Sequence, residues 1–171
     1  MTGTLQTVAS DAKAQVEWNP AAVSRWRLLG YENRDIADHR FRDDTVDAGE
    51  IGVGHTVTAL YEVKLKPEAA GGELGVLRLR YRSKESGEVI ELAEPLAASE
   101  VVRSWDEAPA ALRLAATVAE FAELLKGSFW AKDGSFAALL REVQAVSAEL
   151  PGRTDVAELV GMVGRAARLK G

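Results

Sequence analysis

A chain of 171 residues has the length of one domain or two small ones and can bury a real core without covalent staples. A net charge of −5 sets an average field that repels nucleic acid and anionic membranes, and the lack of cysteine excludes disulfides, thiolate catalysis and cysteine-held zinc. Hydrophobic residues at 47% and charged residues at 27% suit a folded soluble protein, and no apolar run approaches the ~20 residues of a membrane span.

The opening stretch MTGTLQTVASDAKAQ lacks a charged segment followed by an apolar one, so it is not read as a signal peptide. Met1 is read as a start placed before an excised piece. Ala12, Ala14, Val16 and Trp18 alternate with polar residues, the pattern of a half-buried strand that Asn19-Pro20 ends. Val23 to Tyr31 predicts a second strand with poorer alternation. A long acidic, glycine-punctuated loop follows, from Arg34 to His55. Its apolar residues Ile36, Phe41, Val46, Ile51 and Val53 predict order on the sheet and not a floppy linker.

Thr56 to Leu65 predicts a third strand with Val57, Ala59, Tyr61, Val63 and Leu65 on one face. Pro67 to Glu73 is expected to be a mobile loop. Leu77, Leu79 and Tyr81 alternate with Arg78, Arg80 and Arg82 in a fourth strand, and Ser86-Gly87 turns into Val89 to Leu92. Ser99 to Arg103 is expected to be one more short strand. The fold class is therefore α+β, with an antiparallel β-sandwich-like part over 1–103 and a three-helix part over 104–171 packed on it. So few strands leave an edge for the full-length protein to cover, with Arg78, Arg80 and Arg82 as a candidate shield.

In the helical part, Leu114, Val118, Phe121 and Leu125 predict the core stripe of a first, central helix. Ala115, Ala119 and Ala122 give that helix a second, small-residue face. Asp106 is its expected N-cap, Pro109 falls in its first turn and Gly127 stops it. Phe136, Leu139, Leu140, Val143 and Val146 mark a second helix. Val156, Leu159, Val160 and Val163 mark a third, with Asp155 and Glu158 at capping-box spacing.

Four carboxylates, Asp43, Asp44, Asp47 and Glu50, with His55 nearby, could hold calcium, but their spacing does not match an EF-hand loop and fits turn-capping and solvation. Gly49, Gly52 and Gly54 precede a strand and not a helix, so they read as turn glycines and not a phosphate cradle. His39 and His55 accompany no nucleophile motif and no third zinc ligand. No catalytic residue and no cofactor is expected. The row Arg78, Arg80, Arg82, extended by Lys84, is a solvated face or a grip for an acidic partner. Of the four tryptophans, Trp18 and Trp26 are read as core or inter-sheet packing. Trp105 shares in a possible aromatic platform, and Trp130 is expected to be partly exposed.

The stretches QVEWNPAAVSRWRLLGYENR and DAGEIGVGHTVTALYEV resemble the C-terminal domain of bacterial von Willebrand factor A-domain proteins of the YfbK-like type. GTLQTVASDAKAQ, LRLRYR and LAATVAEFAELLKGSFW continue the resemblance over nearly the whole chain. It implies an accessory module in an exported or membrane-anchored parent, with an A domain as partner in the same polypeptide. The DxSxS metal loop of A domains does not occur here, so no metal site is carried over. The expected function is a non-catalytic module that supports or orients the A domain, with weak self-association and a protein ligand as further possible contacts. The alternative is an independent binding module for calcium, glycan or peptide.

Overall fold

The protein is described by a computed structural model covering residues 6–30, 40–43, 48–67, 69 and 71–170. Its chain divides into two compact units between Val101 and Val102.

Strands β1 (Thr7–Trp18), β2 (Val23–Leu28), β3 (Gly49–Gly52), β4 (Tyr61–Leu65), β5 (Glu73–Ser83) and β6 (Val89–Ala97) build the first unit. One antiparallel sheet has the order β3-β1-β5-β6, and a second pairs β2 with β4. The sheets share a small core of Ala22, Val23, Ala69 and Leu74, ringed by Trp18, Val63, Leu65, Leu96 and Ala98. Trp18 links the two sheets, its ring 5.7 Å from Tyr61 in an edge-on contact and 6.4 Å from Trp26. Only a glycine fits at position 75, opposite Trp18. A Cβ there would lie 2.5 Å from the Glu17 carbonyl oxygen. In β1 the register slips between Ser10 and Lys13, and Asp11 takes φ +54 at that bulge. Aspartate is one of the few residues that tolerates this conformation.

The second unit is helical: α1 (Ala110–Lys126), α2 (Phe136–Glu149) and α3 (Thr154–Lys170). Leu139 and Val143 of α2 and Leu159 and Val163 of α3 form its buried centre, with Leu114, Phe121, Leu124, Leu140 and Val160 packed around them. Phe121 meets Phe136 edge-on at 6.1 Å. Gly127 ends α1 at φ +65, and the Ser128 N–H then donates back to the Glu123 carbonyl. Ser135 caps α2, its hydroxyl accepting from the Ala138 N–H at 3.1 Å.

The α+β architecture with antiparallel sheets and three helices is as the sequence pattern predicts, but several elements differ. Strand β3 lies inside the segment read as loop, because pairing to β1 orders a Gly-Glu-Ile-Gly run of weak intrinsic preference. Ser99 to Arg103 is not a strand; a single 3-10 turn spans Ala98–Glu100. The third expected strand begins at Tyr61, and Val57 is almost fully exposed. Asp106 lies in a separate 3-10 turn, Trp105–Glu107, so Pro109 precedes α1 directly. In α1 the core stripe runs Leu114, Thr117, Phe121, Leu124, whereas Val118 and Leu125 are 47% and 51% exposed. Helix α2, not α1, is the one that packs against both others.

Asp155 sits inside the first turn of α3, where Arg153 grips it through Nε at 2.8 Å. Of the loop anchors, Phe41 is buried while Ile51 and Val53 are exposed; Ile36 and Val46 lie outside the described residues. Within the expected mobile loop, Ala69 belongs to the core of the sheets.

Candidate interaction surface

Among the described residues, no group of three metal-ligating side chains occurs. Asp44, Asp47 and His39 lie outside them. Asp43 faces Arg40 at 3.6 Å, and its carbonyl accepts from the Lys13 ammonium. Glu50 is an exposed residue of β3. His55 donates its N–H to the Gly52 carbonyl in a turn whose Gly54 takes φ +76. The glycines are thus a strand and its turn; Gly49 and Gly52 have ordinary φ.

The arginine row is central, not an edge shield, because β5 lies between β1 and β6. Its charges meet carboxylates on neighbouring strands. Arg78 Nε lies 2.9 Å from Glu17 and Arg82 Nε lies 3.7 Å from Asp11. Arg80 is opposite Glu91 in register. Glu91 is also held by Arg42, whose Nε and Nη2 donate to its two oxygens at 3.1 and 2.7 Å. That fork pushes the Glu91 carboxyl below and the Arg42 guanidinium above its ordinary range. A ladder balanced in this way on β1, β5 and β6 has little cationic field left for an anionic ligand.

The exposed apolar groups lie elsewhere. Ala111, Ala115, Val118, Ala122 and Leu125 recur at spacings of four and three, which puts them on one face of α1 beside its core stripe; all but the half-buried Ala115 are exposed. Beyond the end of the helix, Phe129 and Trp130 are 69% and 61% exposed and stack edge-on at 5.5 Å, with Lys132 over the Phe129 ring. In the sheets, Trp26 is exposed beside Trp18, so it is not core.

Sequence reasoning missed Phe129 and the Arg42–Glu91 fork. It also missed Arg113, buried in α1 with Glu142 at 3.3 Å and Glu149 at 2.9 Å on α2. For Phe129 the signal was adjacency to Trp130 in a short turn. The ion pairs span 29 to 49 residues and leave no local mark.

Two antiparallel sheets over a small core, followed by three helices, define an α+β chain. The chain belongs to the family described as "Uncharacterized protein YfbK, C-terminal", whose model matches residues 3–71 and 64–169. It is similar to the "Uncharacterized protein YfbK" of Escherichia coli (strain K12), with 32% identity over 165 residues, 86% of this chain and 28% of that protein. The chain therefore spans little more than a quarter of the length of the curated relative it matches. No solved structure matches the chain. Among the described residues, no helix is long and apolar enough to cross a membrane.

Proposed function

We propose that this chain is a non-catalytic accessory module that supports or orients a von Willebrand factor A domain in the same polypeptide. The observation that carries the reading is the apolar band of α1, Ala111, Val118, Ala122 and Leu125, continued by Phe129 and Trp130, which stays exposed in this chain. Contiguous apolar surface of this kind is usually covered by a partner. The match to a protein more than three times longer is consistent with a partner in cis. Deleting the 171-residue region from the longer protein should weaken ligand binding by the A domain, measured by titration calorimetry. Val118→Asp with Leu125→Asp should leave the melting temperature of the isolated chain near wild type and lower that of the longer protein. Unaltered A-domain binding after deletion would end this reading, and calcium-dependent stabilisation of the isolated chain would favour an independent binding module.

A further inference from the structure

The outer edge of β6 carries information about what it accepts. Ser83 donates its N–H to the Glu88 carbonyl, and Gly87 donates to the Ser83 carbonyl, which closes the hairpin on a hydrogen-bonded Ser83–Glu88 pair. Hydrogen-bonded and non-bonded pairs alternate along an antiparallel ladder. The register then makes Arg82–Val89, Arg80–Glu91, Arg78–Ala93 and Val76–Pro95 the non-bonded pairs. Val89, Glu91, Ala93 and Pro95 therefore aim their backbone groups away from β5, toward the outside of the sheet. β6 is the last strand in the order, and among the described residues no strand lies beyond it.

One end of that edge is closed by its own chemistry. Pro95 has no N–H to offer, and the next outward donor, Ala97, gives its N–H to the Glu100 carboxylate at 3.4 Å. Among the described residues, the other end, Val89 to Ala93, has no such device. Natural sheets commonly blunt a whole edge; here the blunting stops where the hairpin begins.

The side chains beside the open stretch define a pattern. Glu88, Ile90, Leu92 and Glu94 alternate onto one face, acid–apolar–apolar–acid. Leu92 continues a cross-strand row with Leu79 and Ala14, and Leu92 and Leu79 are 51% and 38% exposed. Neither Glu88 nor Glu94 has an ion-pair partner among the described residues. The opposite face differs: its one acid, Glu91, is already neutralised by Arg42.

We infer that the Val89–Ala93 edge receives, by strand addition, an extended peptide segment reading basic-x-apolar-x-apolar-x-basic. The backbone groups supply the ladder, the two apolar side chains extend the row beyond Ile90 and Leu92, and the two basic ones meet Glu88 and Glu94. The pattern is the same read in either direction, so it fits a parallel or an antiparallel strand. No stretch of this chain reads that way, so the segment comes from outside these residues. A second copy of β6 is a poor occupant, because it would set acid against acid. The inference rests on the interaction-module reading and names one surface for it.

The test is a titration of the 15N-labelled chain with a synthetic peptide of that pattern, Lys at the basic positions, Leu and Val at the apolar ones and Thr between. The expected result is slowed amide exchange confined to Val89, Glu91 and Ala93, with a scrambled peptide inert. Ala93→Pro removes an outward N–H and leaves the β5 ladder whole, so the chain should stay folded by circular dichroism and bind about tenfold more weakly. Glu88→Lys with Glu94→Lys should reverse the preference to a peptide with Glu at the basic positions. No binding, protection centred on β2 or β4, or a dimer in sedimentation that Ala93→Pro dissolves would each overturn the proposal. Loss of the edge with the A-domain deletion effect intact would sink the edge alone; the converse would sink only the accessory reading.

Discussion

The two units are held by different physics. Every large side chain of near-zero exposure among the described residues belongs to the helices: Leu139, Val143, Val146, Val156, Val163 and Thr117. Among those side chains the one hydroxyl, on Thr117, donates back to the Arg113 carbonyl at 2.6 Å. The helical unit also buries Arg113 and Glu123, whereas the sheet unit buries mostly smaller residues, Ala9, Ala22, Val23, Ala69 and Leu74 together with Phe41, and admits Ser10 and Lys13. It depends more on ladder geometry, the Gly75 approach and cross-strand ion pairs. The helices should therefore answer to changes of volume and charge, and the sheets to changes of backbone fit.

The largest expected effect is Val143→Asp, which puts an unpaired charge at a fully buried site and should abolish the cooperative loss of helical ellipticity on heating. A normal melting curve would mean that Val143 is not packed in a closed core. Phe41→Ala should cost about 3 kcal/mol in urea unfolding, since the ring is only 6% exposed. A change near zero would remove it as an anchor of the sheet unit. Gly75→Ala adds one methyl against backbone and should cost about 2 kcal/mol, more than an alanine substitution at any exposed strand position.

Smaller still is Val118→Ser. It should stay within about 0.5 kcal/mol in the isolated chain, while Phe121→Ser costs several times that. Equal losses would restore the stripe read from the sequence. The least effect belongs to Asp155, whose carboxyl Arg153 holds at about 2 against an ordinary 3.8. A depressed carboxyl contributes stability that is present above pH 3.8 and lost as pH falls toward 2. Asp155→Asn should flatten the acid limb of the stability curve in that window, lowering stability slightly at neutral pH and leaving the acid end unchanged.

Much of the fold was legible because its elements carry strong local periods. Val156, Leu159, Val160 and Val163 can lie on one side only if the segment is helical, and Leu77, Leu79 and Tyr81 only if it is extended. The α1 stripe was misplaced because two apolar faces lie side by side. Leu114, Val118, Phe121, Leu125 and Leu114, Thr117, Phe121, Leu124 both satisfy the helical period, and the choice falls to a threonine whose hydroxyl the helix itself satisfies. The arginine row could be read as a row, but its pairing could not. Arg78 and Arg82 meet Glu17 and Asp11 through a register that includes the Asp11 bulge, and nothing local encodes that slip. The family was legible from ordered uncommon residues, and the match to the YfbK C-terminal model agrees.

The strand order has a consequence for timing. Among the described strands β1 is made first, yet its partners are β3 and β5, and β5 is complete only at Ser83. During synthesis β1 must wait for roughly 65 residues, about 3 to 13 seconds at ribosomal speed, before its ladder can close. The helical unit has no such delay, since α2 and α3 are adjacent hairpin partners with local contacts. On dilution from denaturant the helices should regain their signal first, followed by Trp18 and Trp26 fluorescence as the sheets close. Tryptophan variants that isolate each unit would separate the two phases in stopped flow, and a sheet phase as fast as the helical one would show that β1 finds its partners without the expected search.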